Sequence, residues 1–240
     1  MDGGRFLTDP VLRGRVLLLR RAVPVDPAVF GLLEPLDAVL VSHLHFDHFD
    51  PPTLSRLKSS AAVIVPAGRA ARLLRRRGHA GVMEAVEGFS ARLAGVRVKA
   101  VHAEHQGSRG TPWLRGPALG YVLSGSASVY FAGDTDLFPG MAELAPRIDV
   151  ALLPVSGWGR RVGPGHLDPR RAVDALGLLR PRVAVPIHWG TFAPVAGGGL
   201  RAKPTSPAER FRELAAALAP GVEVRVLQPG ESTSVLPSTD

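Results

Sequence analysis

Three histidines and an aspartate lie within a six-residue stretch near the start of the chain. The segment Ser42-His43-Leu44-His45-Phe46-Asp47-His48 directly follows an apolar run at residues 38–41. Imidazole and carboxylate groups lose their hydration on burial, so a set this dense needs binding partners. Neutral imidazole and carboxylate are ligands that suit zinc, manganese or iron. We therefore predict a metal-binding segment rather than an exposed polar loop with chance histidines.

The spacing within this segment suggests two ions. In extended backbone the side chains at positions i and i+2 share a face, so His43 and His45 can converge on one ion. A turn after Phe46 would then direct Asp47 and His48 toward a second ion.

Further ligands are expected from distant parts of the chain. His105, Asp134 and His188 each lie just beyond the carboxyl end of an apolar, strand-like run, where α/β sheets place their ligand sites. Gly133 would let the backbone turn sharply and bring Asp134 close to the ions. Any one of these residues alone would more often be structural, but together with the histidine-rich segment they predict one coherent site.

Composition limits the kinds of site and of protein. The chain has 240 residues, of which 45% are hydrophobic and 21% charged, as in soluble globular domains. It contains no cysteine, so a metal must be held by nitrogen and oxygen ligands. The sequence shows neither a signal peptide nor an apolar stretch of the ~20 residues that would span a bilayer. We therefore expect a cytoplasmic protein.

The charge balance has two interpretations. The formal net charge is +8, and only three of the 29 basic residues are lysines. A positive field attracts an anionic substrate or a nucleic acid. A GC-rich genome would also enrich arginine together with the 27 glycines and 22 prolines. We favour the compositional explanation, and we interpret the basic run at residues 72–77 as a solvated helix face.

Short apolar runs and helical patterns supply the elements that would position the site. Strands are predicted at residues 38–41, 62–65, 96–101, 119–123, 128–132, 150–153, 183–186 and 222–227. Helices are predicted at residues 52–58, 68–77, 168–179 and 206–218. Asp168-Pro169 and Ser206-Pro207 are typical helix starts, with a capping residue followed by proline. This order predicts one layered α/β domain over residues 1–240, with sheets inside, helices outside and a disordered tail at residues 233–240.

The set His43-x-His45-x-Asp47-His48, then His105, Asp134 and His188, resembles the metallo-β-lactamase superfamily of hydrolases. Thr8-Asp9-Pro10, Gly133-Asp134-Thr135, His166-Leu167-Asp168-Pro169 and residues 186–192 (PIHWGTF) resemble one branch of it. That branch includes the N-acyl-phosphatidylethanolamine-hydrolysing phospholipase D and the ascorbate-6-phosphate lactonase.

The resemblance implies a four-layer αββα sandwich with a binuclear metal site at one sheet edge. By position, it implies that one metal is held by His43, His45 and His105 and the other by Asp47, His48 and His188, with Asp134 bridging the two.

The chain departs from the family in two places. Only six residues precede Leu7, so we expect a shortened N-terminal edge of the first sheet or a start codon further upstream. The family position at His102 is often proline, which leaves His102 as a rival to His105; we favour His105.

These features predict a hydrolase in which two divalent cations, zinc foremost and manganese or iron as alternatives, share a water and convert it to hydroxide. Asp47 would orient or deprotonate the water. His166 would contact the substrate or protonate the leaving group, unless it is only a structural residue near the helix start.

Residues 106–117, with Arg109, Trp113 and Arg115, are either a lid or a plain surface loop. Residues 156–161 would line the pocket, with Arg160 and Arg161 suiting an anionic small-molecule substrate. His79 is expected to be structural.

Three functions compete. The first is hydrolysis of a phosphodiester, lactone or related ester or amide bond. The second is a nucleic-acid-processing or nucleic-acid-binding protein that uses the basic surface, although the chain has no room for the extra recognition domain of such nucleases. The third is an iron-containing oxygen-reducing or sensory protein, although no flavin domain accompanies it. The substrate, the native metal and the oligomeric state cannot be inferred from the sequence.

Overall fold

The computed structural model describes residues 1–26, 28, 31, 33, 35–57, 61–107, 115–157, 162–195 and 206–235. The strands in these ranges are β1 (Phe6–Thr8), β2 (Arg15–Val16), β3 (Leu19–Arg21), β4 (Ala38–Leu40), β5 (Ala62–Pro66), β6 (Val82–Ala85), β7 (Ser90–Leu93), β8 (Val96–His102), β9 (Leu119–Ser124), β10 (Ser128–Phe131), β11 (Val150–Pro154), β12 (Val183–Ile187), β13 (Phe192–Pro194) and β14 (Glu223–Val224).

The helices of the described ranges are α1 (Pro51–Arg56), α2 (Arg69–Arg76), α3 (Pro169–Leu179) and α4 (Pro207–Leu218), with a short 3₁₀ helix at Pro139–Glu143. Three of the α-helices begin with a capping side chain followed by proline. The side chains of Asp50, Asp168 and Ser206 accept hydrogen bonds from backbone N–H groups of the first turns of α1, α3 and α4. These caps satisfy donors that a helix leaves unpaired, so the local sequence fixes where each helix begins. Within the residue ranges that the structure describes, no helix is both long enough and apolar enough to cross a bilayer.

The strands form two main sheets and one small one. The first sheet has the order β1-β4-β5-β6, and its strands are all parallel. The second has the order β14-β12-β11-β10-β9-β8-β7 and is mixed, with parallel strands from β10 to β14 and antiparallel strands from β7 to β10. β13, β3 and β2 form a separate three-stranded antiparallel sheet.

Alternating apolar residues place the two main sheets face to face. In β4 the side chains of Ala38 and Leu40 pack into a core shared with β8, β9 and β10 of the second sheet, including Val98 and Tyr121. Val39, between them, points the other way, into a core that contains residues of α1 and α2. This period of two is what a strand buried on both faces requires.

The outer face of the second sheet packs against α3 and α4. Leu153 of β11 and Ala184 of β12 share a core with Leu176 of α3 and Phe211 of α4. The layers therefore run helix, sheet, sheet, helix, and the predicted α/β four-layer αββα arrangement is confirmed. The first sheet has four strands against seven in the second, with the three-residue β1 at its edge.

The predicted elements are all present, with shifted ends. The predicted strand at residues 222–227 is reduced to Glu223–Val224, where it pairs with β12. The sequence patterns did not predict β1, β2, β3, β6, β7 and β13, which are two to four residues long. Strands this short carry too few residues for an alternation to be recognised. The last five residues of the predicted tail, 236–240, lie outside the described residues.

Phe211 tests the importance of the outer core. It lies on α4 and is fully buried, whereas Leu218 on the same helix is 51% exposed. Phe211→Ala is expected to lower the free energy of unfolding by about 3–5 kcal/mol, because it leaves a cavity. Leu218→Ala should change it by less than about 0.5 kcal/mol. Denaturant titration measures both, and similar effects for the two variants would contradict the packing described here.

Candidate metal centre

The seven predicted ligands lie just beyond the carboxyl ends of strands, at one edge of the sandwich. His43, His45, Asp47 and His48 follow β4; the others follow β8, β10 and β12. Gly133, between β10 and Asp134, has a φ of +60°, and a Cβ there would lie 2.5 Å from the Cβ of Ser42. Only glycine permits both that backbone conformation and that approach, as predicted from the sequence.

His43, His45 and His105 form a first set of converging ring nitrogens. His43 Nε2 lies 2.9 Å from His45 Nδ1, and His105 Nε2 lies 3.3 Å from the same atom. These atoms and a carboxylate oxygen of Asp134 lie within 4.8 Å of one another. His43 is fully buried, and His45 is 7% exposed.

Hydrogen bonds on the far side of two of these rings determine which nitrogen carries the hydrogen. The Nδ1–H of His105 donates to the carbonyl oxygen of Gly165 at 2.6 Å. The Nδ1–H of His43 donates at 3.0 Å to the hydroxyl oxygen of Ser42, which itself donates to Asp9. Each Nε2 atom therefore directs a lone pair at His45 Nδ1. That nitrogen can carry at most one hydrogen and so cannot satisfy both lone pairs, whereas a cation among the three nitrogens would satisfy them all.

His48 and His188 repeat the arrangement. Their Nε2 atoms face each other at 3.1 Å. The Nδ1–H of His48 donates to Asp9 Oδ2 and that of His188 donates to the carbonyl oxygen of Ser156, both at 2.6 Å. Asp47 Oδ2 lies 3.5 Å from His48 Nε2 and 3.4 Å from His188 Nε2. Asp47, His48 and His188 thus form a second three-ligand set.

Asp134 lies between the two sets. One of its oxygens, Oδ2, is 3.9 Å from His43 Nε2 and 3.3 Å from His48 Nε2; the other, Oδ1, is 3.5 Å from His188 Nε2. Oδ1 is buried and has no hydrogen-bond partner among the described residues. His45 Nε2 is likewise buried and has none. Buried polar atoms without partners are rare, and a bound ion would explain the carboxylate oxygen directly.

The two sets differ in their affinity for protons. Burial lowers the pKa of His43 well below its usual value and that of His45 to about 4. Burial acts in the same direction on His48, but the carboxylates of Asp134 and Asp47 outweigh it and raise the pKa of that imidazole well above its usual value. The first set therefore presents neutral imidazoles at neutral pH, the state that binds metals. In the second set, protons and cations compete for the same nitrogens.

Asp9 is a functional residue that the sequence analysis did not assign. It follows β1 and has a φ of +41°, a backbone conformation that is uncommon for residues other than glycine. Its Oδ1 accepts the N–H of Ser42 at 2.7 Å, while its Oδ2 accepts the Ser42 hydroxyl and the Nδ1–H of His48. It fixes the orientation of His48 from behind. The sequence signal for Asp9 was the Thr8-Asp9-Pro10 motif, which contributes to the family resemblance but had no role assigned to it.

Asp136 supports His105 in a similar way. Its carboxylate accepts the N–H of Gly165 at 3.2 Å and pairs with Arg171 on α3. Gly165 in turn supplies the carbonyl that holds His105. Helix α3 thus helps to position His105 through Arg171, Asp136 and Gly165.

The structure separates the remaining candidates. His166 belongs to the centre: its Nε2 is 3.5 Å from Asp134 Oδ2, and its ring centroid is 4.6 Å from that of His105. The side chain of His102 is 43% exposed and lies beside Glu87 and Glu104, away from both sets. His79 lies next to Gly78, beyond α2 and outside both sets, in keeping with a structural role.

Several predicted pocket residues lie outside the described residues: Arg109 and Trp113 of the suggested lid, and Trp158, Arg160 and Arg161. Ser156 is described, and both its carbonyl and its hydroxyl bond to His188. The basic run at the end of α2 is exposed, as expected of a solvated face, and Arg75 pairs there with Glu84.

Sequence comparisons match these residues to a known family. A family model described as a beta-lactamase superfamily domain matches residues 4–189. A metal-dependent hydrolase of the UPF0173 family from Caldivirga maquilingensis is 33% identical over 234 residues, which cover 95% of this chain and 89% of the relative. Another UPF0173 metal-dependent hydrolase, from Methanopyrus kandleri, is also 33% identical, over 97% of this chain and 93% of the relative.

The fold matches a solved structure over nearly its whole length. Igni18, described as a metallo hydrolase from the hyperthermophilic archaeon Ignicoccus hospitalis, superposes with a TM-score of 0.70 at 24% identity. The match covers 96% of this chain and 90% of that one.

Substitution of the two rival histidines tests the assignment of the first set. His105→Ala should weaken binding of Zn²⁺ by more than about tenfold, because it removes a converging lone pair. His102→Ala removes an exposed imidazole of the same type and should leave the affinity unchanged. Competition with a chromogenic chelator measures both, and a greater loss in His102→Ala would reverse the assignment.

Asp9→Asn tests positioning from behind the site. Asparagine also tolerates a positive φ, but its amide cannot replace both acceptor oxygens that Asp9 offers. We expect Zn²⁺ affinity to fall by about 10–100-fold with little change in thermal stability. Asp174→Asn on the exposed face of α3 is the matched control. Unchanged affinity in Asp9→Asn would show that the hydrogen bond to His48 is dispensable.

Proposed function

The chain belongs to the β-lactamase superfamily, as a metal-dependent hydrolase of the UPF0173 family, and from that premise we propose that it cleaves an ester-type bond at a centre of two divalent cations. The bond belongs to a lactone, a phosphodiester, or a related ester or amide. The proposed ligands are His43, His45 and His105 for one cation and Asp47, His48 and His188 for the other, with Asp134 bridging them.

The observation that carries this proposal is the paired convergence of imidazole lone pairs on both sides of one buried carboxylate. In the first set, the Nε2 atoms of His43 and His105 lie 2.9 and 3.3 Å from His45 Nδ1. In the second set, the Nε2 atoms of His48 and His188 lie 3.1 Å apart. Nitrogen and oxygen ligands in two groups of this size suit Zn²⁺, with Mn²⁺ or iron as alternatives. The residues present therefore fit two divalent cations.

When bound there, two cations would lower the pKa of an attacking water to about 7 and offset the charge that develops on the attacked oxygen. Asp47 would hold and accept a proton of that water at Oδ2. Burial alone would raise the pKa of this carboxyl, but the imidazoles of His48 and His188 hold it below its usual range. Asp47 is therefore ionised at neutral pH and able to accept a hydrogen bond from water.

His166 would act on the leaving group. Its Nδ1 lies 3.2 Å from the carbonyl oxygen of Pro164, to which it donates. Its Nε2 thus faces the centre, 3.5 Å from Asp134. From this position Nε2 can carry a proton to a leaving oxygen or nitrogen.

No feature of the described residues favours the nucleic-acid alternative, and the exposed arginines of α2 lie on the outer layer. The third alternative, an iron-containing oxygen-reducing or sensory protein, would use the same ligand set. Metal analysis of the purified protein, for iron against zinc or manganese, distinguishes it.

Metal removal and one substitution test the proposal together. Protein stripped with a chelator should lose hydrolysis of bis(p-nitrophenyl) phosphate, p-nitrophenyl esters and lactones, and added Zn²⁺, Mn²⁺ or Fe²⁺ should restore it. Asp134→Ala should lower the restored activity by about 100-fold or more, because it removes the group between the two ligand sets. Asp174→Ala on α3 controls for the loss of a surface carboxylate. Undiminished activity in Asp134→Ala, or in the stripped protein, would refute the proposal.

A further inference from the structure

A cleft extends from the second ligand set into the space between the two sheets. Its lining includes Asp47, His48, Asp134 and His188 of the metal centre. It also includes the apolar side chains of Phe131, Leu152, Ile187 and Phe192, together with Thr8 and Thr191. Phe131 and Leu152 pair with each other in the second sheet, before the strand ends that carry the ligands.

The apolar part of the lining belongs to the inner face of the second sheet. Leu152 of β11 and Ile187 of β12 pack against the core that the two sheets share. Thr8, the last residue of β1 at the edge of the first sheet, also lines the cleft. Thr191 and Phe192, the latter on β13, complete the lining.

The charged groups of the lining are those of the metal centre and its support. The lining carboxylates are Asp9, Asp47 and Asp134, and the imidazoles are His48 and His188. The remaining side chains of the lining are aliphatic or aromatic, apart from the hydroxyl groups of Thr8, Ser156 and Thr191. A charged or strongly polar group placed beside Phe131 and Leu152 would lose its hydration without compensation, whereas an apolar group would gain by burial.

The volume sets the size of the occupant. The cleft holds about 250 Å³. A dry cavity of about 150 Å³ binds benzene, so this space accommodates roughly ten non-hydrogen atoms, including those of the bond at the metal end. The apolar portion then amounts to about six to eight carbons.

We propose that this cleft binds an apolar acyl or alkyl group of the substrate, and that the scissile bond lies beside Asp47 and His188. The inference rests on the proposed hydrolase function and names its substrate class: a molecule with a medium-length hydrocarbon group adjacent to the hydrolysed bond. Selection among substrates follows from how well that group fills the space beside Leu152 and Ile187.

The test uses the metal-loaded protein and p-nitrophenyl esters with acyl chains of 2 to 12 carbons. The ratio kcat/KM should rise about three- to fourfold per added methylene up to about eight carbons and then level off. Thr191→Trp fills the cleft and should lower kcat/KM for the octanoyl ester at least about tenfold, while the acetyl ester changes less than about twofold. Val195→Trp, which adds the same side chain at an exposed position just beyond β13, should leave both esters unchanged.

Two further measurements test the cleft if Thr191→Trp fails to fold or if the protein hydrolyses no ester. Leu152→Ala should extend the chain length at which the plateau begins by about two carbons. In the metal-free protein, 1-octanol should shift the methyl NMR signals of Ile187 and Leu152 but not those of the exposed Leu218.

The outcomes are distinguishable. If no ester is hydrolysed, the hydrolase proposal fails for esters, and the octanol titration still decides whether the cleft binds a hydrocarbon. Equal dependence on chain length in the unmodified protein and in Thr191→Trp would overturn the inference. So would the absence of octanol-induced shifts at Ile187 and Leu152.

Discussion

The structure depends on one electrostatic constraint: four imidazoles, those of His43, His48, His105 and His188, bond to the surrounding protein through Nδ1 and direct Nε2 into a shared space. At His45 three ring nitrogens meet, and at His48 and His188 two more meet beside two carboxylates. Lone pairs without donors or cations are costly in a region shielded from water. In the second set a proton can meet this need, since the carboxylates raise the pKa of His48. A pair of divalent cations would satisfy both sets and also the buried oxygen of Asp134.

The rest of the fold serves to hold those lone pairs in place. Three of the five rings are fixed from behind by distant parts of the chain: His48 by Asp9 after β1, His105 by the carbonyl of Gly165, and His188 by the carbonyl of Ser156. The two facing sheets bring these supports to a common edge, and the helices pack the outer faces. The inner face of the second sheet also lines an apolar space beside the centre, which the proposed substrate group would occupy.

The ligand types and the layers could be predicted from the sequence, because both leave dense local patterns. Four ligand-type residues follow a buried strand at residues 43–48, and the capped starts at Asp168 and Ser206 locate two helices. The supporting contacts could not be predicted in this way. Asp9 is 39 positions from His48, and Gly165 acts through its backbone carbonyl, which no side-chain type marks in the sequence. The cleft could not be predicted either, since its lining comes from segments far apart in the sequence.

The most direct test of the paired centre is anomalous X-ray diffraction from crystals of the protein loaded with Zn²⁺, collected on both sides of the zinc absorption edge. Two anomalous peaks are predicted, about 3.5–4 Å apart, one beside His43, His45 and His105 and the other beside Asp47, His48 and His188. Peaks only at surface residues, or no peak within bonding distance of these side chains, would contradict the account.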